Sequence, residues 1–303
     1  MDIGRDNDVI SEKIDRVDSG AVVAVLKAAL LSAGYLDTNA SWRPLSGGRT
    51  NQIWRVSDAE KDFVCKLFDP AGGTSLFPND PDGEVRALQA LARTHLAPDF
   101  IGRIKTPVGA CVLYRHVEGK AGVAAVADVA ATLKKLHSAM PPAGLREIRA
   151  GAGAILRQGE HILGDCCSDR KAVLMALRPE PVETGAISGV FLHGDLVPGN
   201  VIHTSRGAVL VDWQCPALGD PCEDLATFLS PAMQSLYGYG PLSKDERREF
   251  LATYDDPAIT DRFGKLHSHF GWRIAAHCLW KTENGEAEYE QGLALELAAL
   301  KQT

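Results

Sequence analysis

Between Phe191 and Asp224 the sequence runs FLHGDLVPGNVIHTSRGAVLVDWQCPALGDPCED, setting His193, Asp195, Asn200, Asp212, Asp220 and Asp224 among two apolar runs that read as short strands. Ionised side chains beside a core are costly unless they are paired, hydrogen-bonded or bound to a metal, so this cluster calls for a partner. Mg²⁺ suits it. The ion takes oxygen ligands, commonly one or two from the protein and the rest from water and substrate phosphates. Asn200 and Asp212 are the oxygen donors placed to supply them. Taken singly, each of these residues is also what a turn-rich hairpin uses to cap and turn the chain. The whole set, in order and at its offsets, points to chemistry instead.

The offsets are those of phosphoryl transfer. A catalytic loop of H-x-D, an Asn five residues later, and a hairpin strand ending in a metal-binding Asp make up the protein-kinase pattern. His193, Asp195 and Asn200 keep that spacing, and AVLVD, ending at Asp212, supplies the strand. On HGDLVPGN at 193–200, VDW at 211–213 and GDPCEDLA at 219–226, the chain resembles the kinase-like small-molecule phosphotransferases, which include choline kinases and aminoglycoside phosphotransferases. The wording of the loop is most similar to bacterial choline kinases. The resemblance covers about residue 40 to the end. It implies that ATP is the donor, that Asp195 is the catalytic base and that Asn200 and Asp212 hold Mg²⁺. It also implies that Asp220 braces the catalytic loop, with Asp224 as a further structural carboxylate.

Such a centre needs a nucleotide-binding frame, and the residues before it offer one. WRPLSGGRTNQIWRVSD, at 42–58, reads as two strand segments flanking Ser46, Gly47, Gly48, Arg49, Thr50 and Asn51. A Gly pair between strands is equally a hairpin turn or a phosphate loop, and the protein-kinase loop carries more glycines. The family resembled here has a GG-x-[ST]-N version that Gly47 to Asn51 match, which assigns Gly47, Gly48, Thr50 and Asn51 to the nucleotide. FVCKLF, at 63–68, is an apolar strand broken by one charge, Lys66. A snorkelling lysine on a solvated face is the ordinary account. One strand after the glycine loop, however, Lys66 sits where a kinase places the lysine that neutralises the α- and β-phosphates. Residues 69–83 are rich in Pro, Gly and Asp and read as a loop leading into a helix that begins near Pro81. Val85, Leu88, Leu91 and Ala92 form its apolar stripe. Glu84 in the first turn complements the helix dipole, and in the kinase arrangement it is the partner of Lys66.

Residues 100–106 and 110–117 alternate like a hairpin around Pro107 and Gly109 and complete a five-stranded antiparallel sheet. His116, Val117, Glu118 and Gly119 then form a connector, and a kinase-like protein holds adenine against the backbone there. The expected fold is α+β, a protein-kinase-like two-lobed arrangement. Residues 1–117 form the nucleotide-binding lobe, with the first 18 mobile, and 118–303 form a mostly helical lobe with the catalytic loop and acceptor pocket.

Helical spacing marks Ser19 to Ala33, ended by Gly34, then Val123 to Ser138, two segments within 147–178, Pro221 to Ser230, Lys244 to Tyr254, and 258–282. His137 reads as a packed core histidine. His267, His269 and His277 do not share a helical face, which rejects a metal site on the last helix. The 303 residues, 45% hydrophobic, exclude a single small module. A formal charge of −7, from 32 basic and 39 acidic residues, with no basic run, excludes nucleic acid as a partner. Seven cysteines without C-x-x-C suggest reduced thiols rather than zinc. No signal peptide is evident at the N-terminus, and no apolar run approaches the roughly 20 residues of a membrane span. These features describe a soluble cytoplasmic protein.

The function that follows is transfer of the γ-phosphoryl of MgATP to the hydroxyl of a small molecule. Only seven residues separate Asp212 from Asp220, leaving no peptide-binding activation segment, and Gly194 stands where a protein kinase has the Arg of H-R-D. A non-catalytic nucleotide-binding module predicts decay of a polar catalytic residue, yet Lys66, Asp195, Asn200 and Asp212 are all present. A metal-dependent hydrolase leaves the glycine loop, Lys66 and Glu84 unexplained. For the acceptor, Trp272 and Trp280 read first as core residues and acids on helices as solvated, but Asp255, Asp256, Asp261, Glu283, Glu286, Glu288 and Glu290 with Trp272, Trp280 and Tyr289 suggest a cation held on aromatic faces. Choline- or ethanolamine-type amino alcohols rank first, ahead of aminoglycosides and of thiamine- or homoserine-type acceptors.

Overall fold

Strand period and helix period divide the first half of the chain between two faces of one sheet. The structure, a computed structural model, describes residues 19–37, 39–45, 49–58, 60–122 and 125–302. The mobile N-terminus expected for 1–18, the loop residues Ser46, Gly47 and Gly48, and Val123 lie outside the described residues. Strands β1 (Ser41–Pro44), β2 (Gln52–Ser57) and β3 (Asp62–Leu67) form a meander, and β4 (Phe100–Thr106) and β5 (Gly109–Arg115) form a hairpin. All pairings are antiparallel, in the order β1-β2-β3-β5-β4. This is the five-stranded sheet expected from the sequence.

Helix α1 (Ser19–Ser32) covers one face, because Val22, Leu26 and Leu30 repeat every four residues and meet Trp54, Val56, Phe63, Cys65 and Leu113. Gly34, at φ +77°, ends it. Tyr35 N–H donates to Leu30 O and Gly34 N–H to Leu31 O, a C-cap that needs the left-handed conformation glycine adopts freely. Helix α2 (Pro81–Ala90) covers the other face, packing Ala87 and Leu88, with Leu91 just beyond its end, on Val64, Phe68, Val112 and Tyr114. Asp80 caps α2 by accepting from Asp82 N–H, and Pro81 opens its first turn.

Beyond the connector, β6 (Lys120–Ala121) leads into α3 (Val126–Ser138), β7 (Arg146–Glu147), α4 (Ala152–Gly164) and α5 (Arg170–Ala176). β8 (Val190–Leu192), β9 (Val201–Thr204), β10 (Gly207–Leu210) and β11 (Ala217–Gly219) follow. Among the described residues they complete two small sheets, ordered β10-β9-β6 and β7-β11-β8. The chain then turns helical, with α6 (Cys222–Leu229), α7 (Pro231–Leu236), α8 (Lys244–Tyr254), α9 (Pro257–Glu283) and α10 (Tyr289–Leu300). The 27-residue α9, about 40 Å long at 1.5 Å per residue, is the spine against which α4, α6 and α10 pack. No helix among the described residues is long and apolar enough to cross a membrane. All seven cysteines are free thiols.

Candidate active site

Side chains alternate across a strand, so 64, 66 and 68 of the β3 segment share the α2 face and Lys66 must enter the core beside α2. It does so at 0% exposure, which removes the snorkelling account. Lys66 Nζ donates to Glu84 Oε2 at 2.5 Å and also to Asp212 Oδ1. Burial opposes the lysine charge, but Asp212 and Glu84 more than offset it and hold the pKa above the ordinary value. Glu84 is pushed up to about 7 by burial, against the pull of Lys66. Its Oε1 has no hydrogen-bond partner among the described residues.

The catalytic segment is held by its own backbone. Gly194, at φ +79°, passes so close to Cys215 that any Cβ would collide with the Cys215 carbonyl oxygen. That contact accounts for a glycine where protein kinases carry Arg. The Asp224 carboxylate, from the first turn of α6, accepts His193 N–H and Gly194 N–H at 2.8 Å each. His193, made neutral by burial, donates from Nε2 to Val211 O at 3.0 Å and accepts Asp195 N–H at Nδ1. Asn200 Nδ2 donates to Asp195 O at 2.8 Å, and Val211 N–H donates to Asn200 O at 2.9 Å. Asp212 itself stands at φ +63°, a sparsely populated region for a residue with a Cβ and one that clusters at functional sites. Trp213 Nε1–H to Leu210 O closes the turn at 2.8 Å. Asp195, Asn200 and Asp212 are thereby fixed together on one braced stretch of backbone. Enclosure and the neighbouring Asp212 carboxylate push Asp195 up to about 7.

A hard divalent cation fits this donor set. Because Asn200 Nδ2 is committed to Asp195 O, its amide oxygen is the group left over, with no protein donor among the described residues. Asp212 contributes a carboxylate whose second oxygen is likewise unbonded among the described residues. Oxygen donors of this kind beside the Asp195 carboxylate are what Mg²⁺ takes.

Two sequence assignments change. Asp224, not Asp220, braces the catalytic loop. Asp220 accepts from Arg262 Nε at 2.6 Å and from Cys222 N–H at 3.0 Å, tying α6 to α9. Arg262 in turn donates to the Thr184 and Gly185 carbonyls. Asn51 is the second change, since its side chain does not face the cleft. Its Nδ2 donates to Asn79 Oδ1 at 2.9 Å and Gln214 Oε1 at 2.6 Å, while its Oδ1 accepts Asp69 N–H and Asn79 Nδ2. A carboxamide with every site filled has nothing left for a phosphate.

Thr50 lines the cleft together with Asp195 and Asp212, whereas Gly47 and Gly48 lie outside the described residues. In the connector, His116 N–H reaches Asp62 O at 3.5 Å, and the Val117 backbone has no main-chain partner among the described residues. The His116 ring sits near Asp62 and Glu118, whose carboxylates are already taken by Arg55 at 2.7 and 2.5 Å.

The acceptor cues are redistributed as well. Trp272 is fully buried, donating from Nε1 to Leu174 O, with its ring over Gly159 of α4. Glu283 accepts from Ser168 and Cys167 backbone N–H, and Glu290 pairs with Arg170. The groups that do line the cleft beside Asp195 include Phe77, Tyr237, His277, Lys281 and Tyr289, with Arg49. Of the residues that suggested a cationic acceptor, Tyr289 lines the cleft, whereas Trp272, Glu283 and Glu290 are engaged elsewhere. Sequence reasoning also missed Gln214, whose Nε2 lies 3.5 Å from Asp195 Oδ2 and whose Oε1 holds Asn51. Its place directly after the VDW triplet was the available signal.

Comparison with known proteins gives the family and the fold. A family model described as a phosphotransferase enzyme family matches residues 41–263. A choline/ethanolamine kinase family protein from Mesorhizobium loti is 19% identical, with a TM-score of 0.62 over 94% of this chain and 95% of its own. Aminoglycoside 2'-phosphotransferase-IIIa, solved as a GDP complex, is 16% identical, with a TM-score of 0.65 over 91% and 98%. A thermostable mutant of an aminoglycoside phosphotransferase, in ternary complex with AMP-PNP and hygromycin B, is 13% identical, with a TM-score of 0.60 over 91% and 97%. The fold shared with them is protein-kinase-like. No curated protein matches the sequence.

Proposed function

Because this chain belongs to the phosphotransferase enzyme family, we propose that it moves the γ-phosphoryl of MgATP to the hydroxyl of a small-molecule acceptor. It is a kinase-like small-molecule phosphotransferase. The observation that carries the finer reading is Lys66, fully buried and shared between Glu84 and Asp212. An ammonium that deep in a structure, next to a carboxylate on a cleft, is placed for phosphate oxygens.

In this reading residues 1–117 bind the nucleotide and 118–303 carry the chemistry. The glycine loop with Gly47, Gly48 and Thr50 covers the phosphates, Lys66 neutralises them, and Glu84 keeps Lys66 aimed. The Val117 backbone, and that of His116, offers its groups to the adenine. Asn51 acts at one remove, fixing the loop to Gln214. Asn200 and Asp212 would hold Mg²⁺, which supplies charge neutralisation at the transferring phosphoryl group when bound. Asp195 orients the acceptor hydroxyl and takes its proton. Its raised pKa makes it a better proton acceptor than an ordinary aspartate near neutral pH. The intact set of polar residues stands against a purely nucleotide-binding role. We place the activity in the cytoplasm, where ATP is available.

The test is a coupled ADP-release assay with an alcohol panel, with Mg²⁺ and in EDTA, on the wild type and Asp195→Ala. Mg²⁺-dependent turnover that falls on the order of 10²-fold or more in the variant, with nucleotide affinity unchanged, is expected. Equal turnover in both proteins rejects the role of Asp195.

A further inference from the structure

The acceptor end of the cleft has an order of charge that the sequence did not reveal. Lys281, near the end of α9, pairs with Glu286 at 2.7 Å, and Arg49 pairs with Glu288 at 2.8 Å. In both pairs the cation is the inner partner. The side chains of Lys281 and Arg49 are 15% and 27% exposed, those of Glu286 and Glu288 38% and 55%. Arg49 and Lys281 line the cleft with Asp195, whereas neither glutamate does. The carboxylates that line it are Asp195 and Asp212, both engaged in phosphoryl transfer in the reading above.

Two rings are occupied in the same way. The Arg49 guanidinium lies 5.2 Å from the Tyr289 ring centroid and Lys281 Nζ 5.6 Å from it, while Lys281 is also 5.7 Å from the Trp280 ring. A quaternary ammonium needs open ring faces, and the protein's own cations use those of Tyr289 and Trp280. One turn before Lys281, His277 is 2% exposed, lines the cleft, and makes no hydrogen bond among the described residues. Burial, with Lys281 and Arg273 nearby, pushes it down to about 3, so it presents a neutral imidazole able to donate to an oxygen.

We propose that the acceptor is a small hydroxy acid, an alcohol bearing a carboxylate, whose negative group is taken by Lys281 and Arg49 while its hydroxyl meets Asp195. His277 hydrogen-bonds the carboxylate and sets its distance from the hydroxyl. This inference rests on the phosphotransfer reading and narrows its substrate.

The experiment uses the whole chain in two steps. Calorimetry with MgATP first tests the phosphotransfer reading by itself, and failure to bind MgATP defeats that reading. With MgADP present, thermal shift and coupled ADP release are then measured for glycerate, 3-hydroxybutyrate and homoserine, the primary amide of each, choline and ethanolamine. At least one acid should raise Tm and turn over, with kcat/KM at least 30-fold above that of its amide. Lys281→Gln should raise KM for that acid tenfold or more with kcat within threefold, and Lys281→Arg should restore it. Glu286→Gln, which frees the lysine, should lower KM, an effect of opposite sign that a merely structural role does not give. MgATP binding with choline or ethanolamine as the best acceptor overturns the inference and leaves the kinase reading standing. So does MgATP binding with no acid bound or phosphorylated, or with acid and amide used equally.

Discussion

The bracing of the catalytic loop by Asp224 makes a sharp prediction, because a nearly isosteric change removes it. Asp224→Asn offers one oxygen to two backbone donors, His193 N–H and Gly194 N–H, each 2.8 Å from the native carboxylate. The other end of the amide carries hydrogens and faces a donor. A buried donor left without a partner costs roughly 1–3 kcal/mol, and a charge-assisted bond contributes about 1.5–3. The two overlap, so a loss of about 3 kcal/mol is expected, or a Tm lower by about 6 °C at roughly 2 °C per kcal/mol. The freed backbone lies next to Asp195, and a misplacement of about 1 Å at a reacting group can cost on the order of 10²-fold. kcat should therefore fall 10- to 100-fold, while MgATP affinity, assigned to Lys66 and Glu84 in the proposed function, stays within about threefold. Asp220→Asn is the control. It breaks a buried pair with Arg262, at 2.6 Å, and should destabilise by a similar roughly 3 kcal/mol, but it touches α6 and the 184–185 segment rather than the loop. Its kcat should stay within about threefold. Differential scanning calorimetry with steady-state kinetics on both variants decides the matter. If Asp220→Asn rather than Asp224→Asn selectively lowered kcat, the assignment of the brace would be wrong.

Two further outcomes are expected. Gln214→Leu removes the donor near Asp195 and leaves Asn51 Nδ2 short of an acceptor, so kcat should fall about tenfold and KM for ATP rise a few-fold; unchanged kinetics with ATP varied would reject the role given to Gln214. Glu296, buried against Ser230 and Ala232 N–H, is pushed up to about 7 by burial. A carboxyl raised in the folded state gives stability that is complete below its unfolded value of about 4.3 and is lost as pH rises through about 7. Between pH 5 and pH 8, urea unfolding of the wild type should thus lose about 2–3 kcal/mol more than that of Glu296→Gln; equal losses would show that Glu296 is already ionised when folded.

What was legible in the sequence was whatever a single strand or helix decides by itself. Lys66 stood out because a lone charge in FVCKLF can point only to one of two faces, and strand parity gives it the face that α2 covers. Glu84 followed from its place in the first turn of that helix. The offsets from His193 to Asp212 lie within one hairpin and needed no long-range information. The failures all depended on how separate elements meet. Asp220 and Asp224 are four residues apart at the start of α6, and only the meeting of α6 with the segment after β8 and with α9 sends one toward the loop and the other toward Arg262. Trp272, offered by the sequence both as a core residue and as an aromatic face, goes to the core because Gly159 of α4 leaves room for its ring. Asn51 matched a motif by type, while its hydrogen bonds were settled by Asn79 and Gln214, which lie in two other parts of the chain.

Those same contacts show where the sheet and the helical part are coupled. Lys66 reaches Asp212, Asn51 reaches Gln214, Asp80 N–H donates to Gln214 O, and Cys215 Sγ meets Pro78 O at 2.9 Å. Every one of them ends on residues 212–215. That stretch is itself rigidly tied to the catalytic loop, through His193 to Val211 O and through the close approach of Gly194 to Cys215. A movement of the sheet against the helices must then carry residues 212–215 with one side and break with the other, and the side they keep is the catalytic loop. Arg49 with Glu288 is the contrasting link, an ion pair with its carboxylate 55% exposed, which forms and parts at little cost in free energy. Opening of the cleft for nucleotide and acceptor should therefore begin at Arg49, with the buried Lys66–Asp212 contact the last to part.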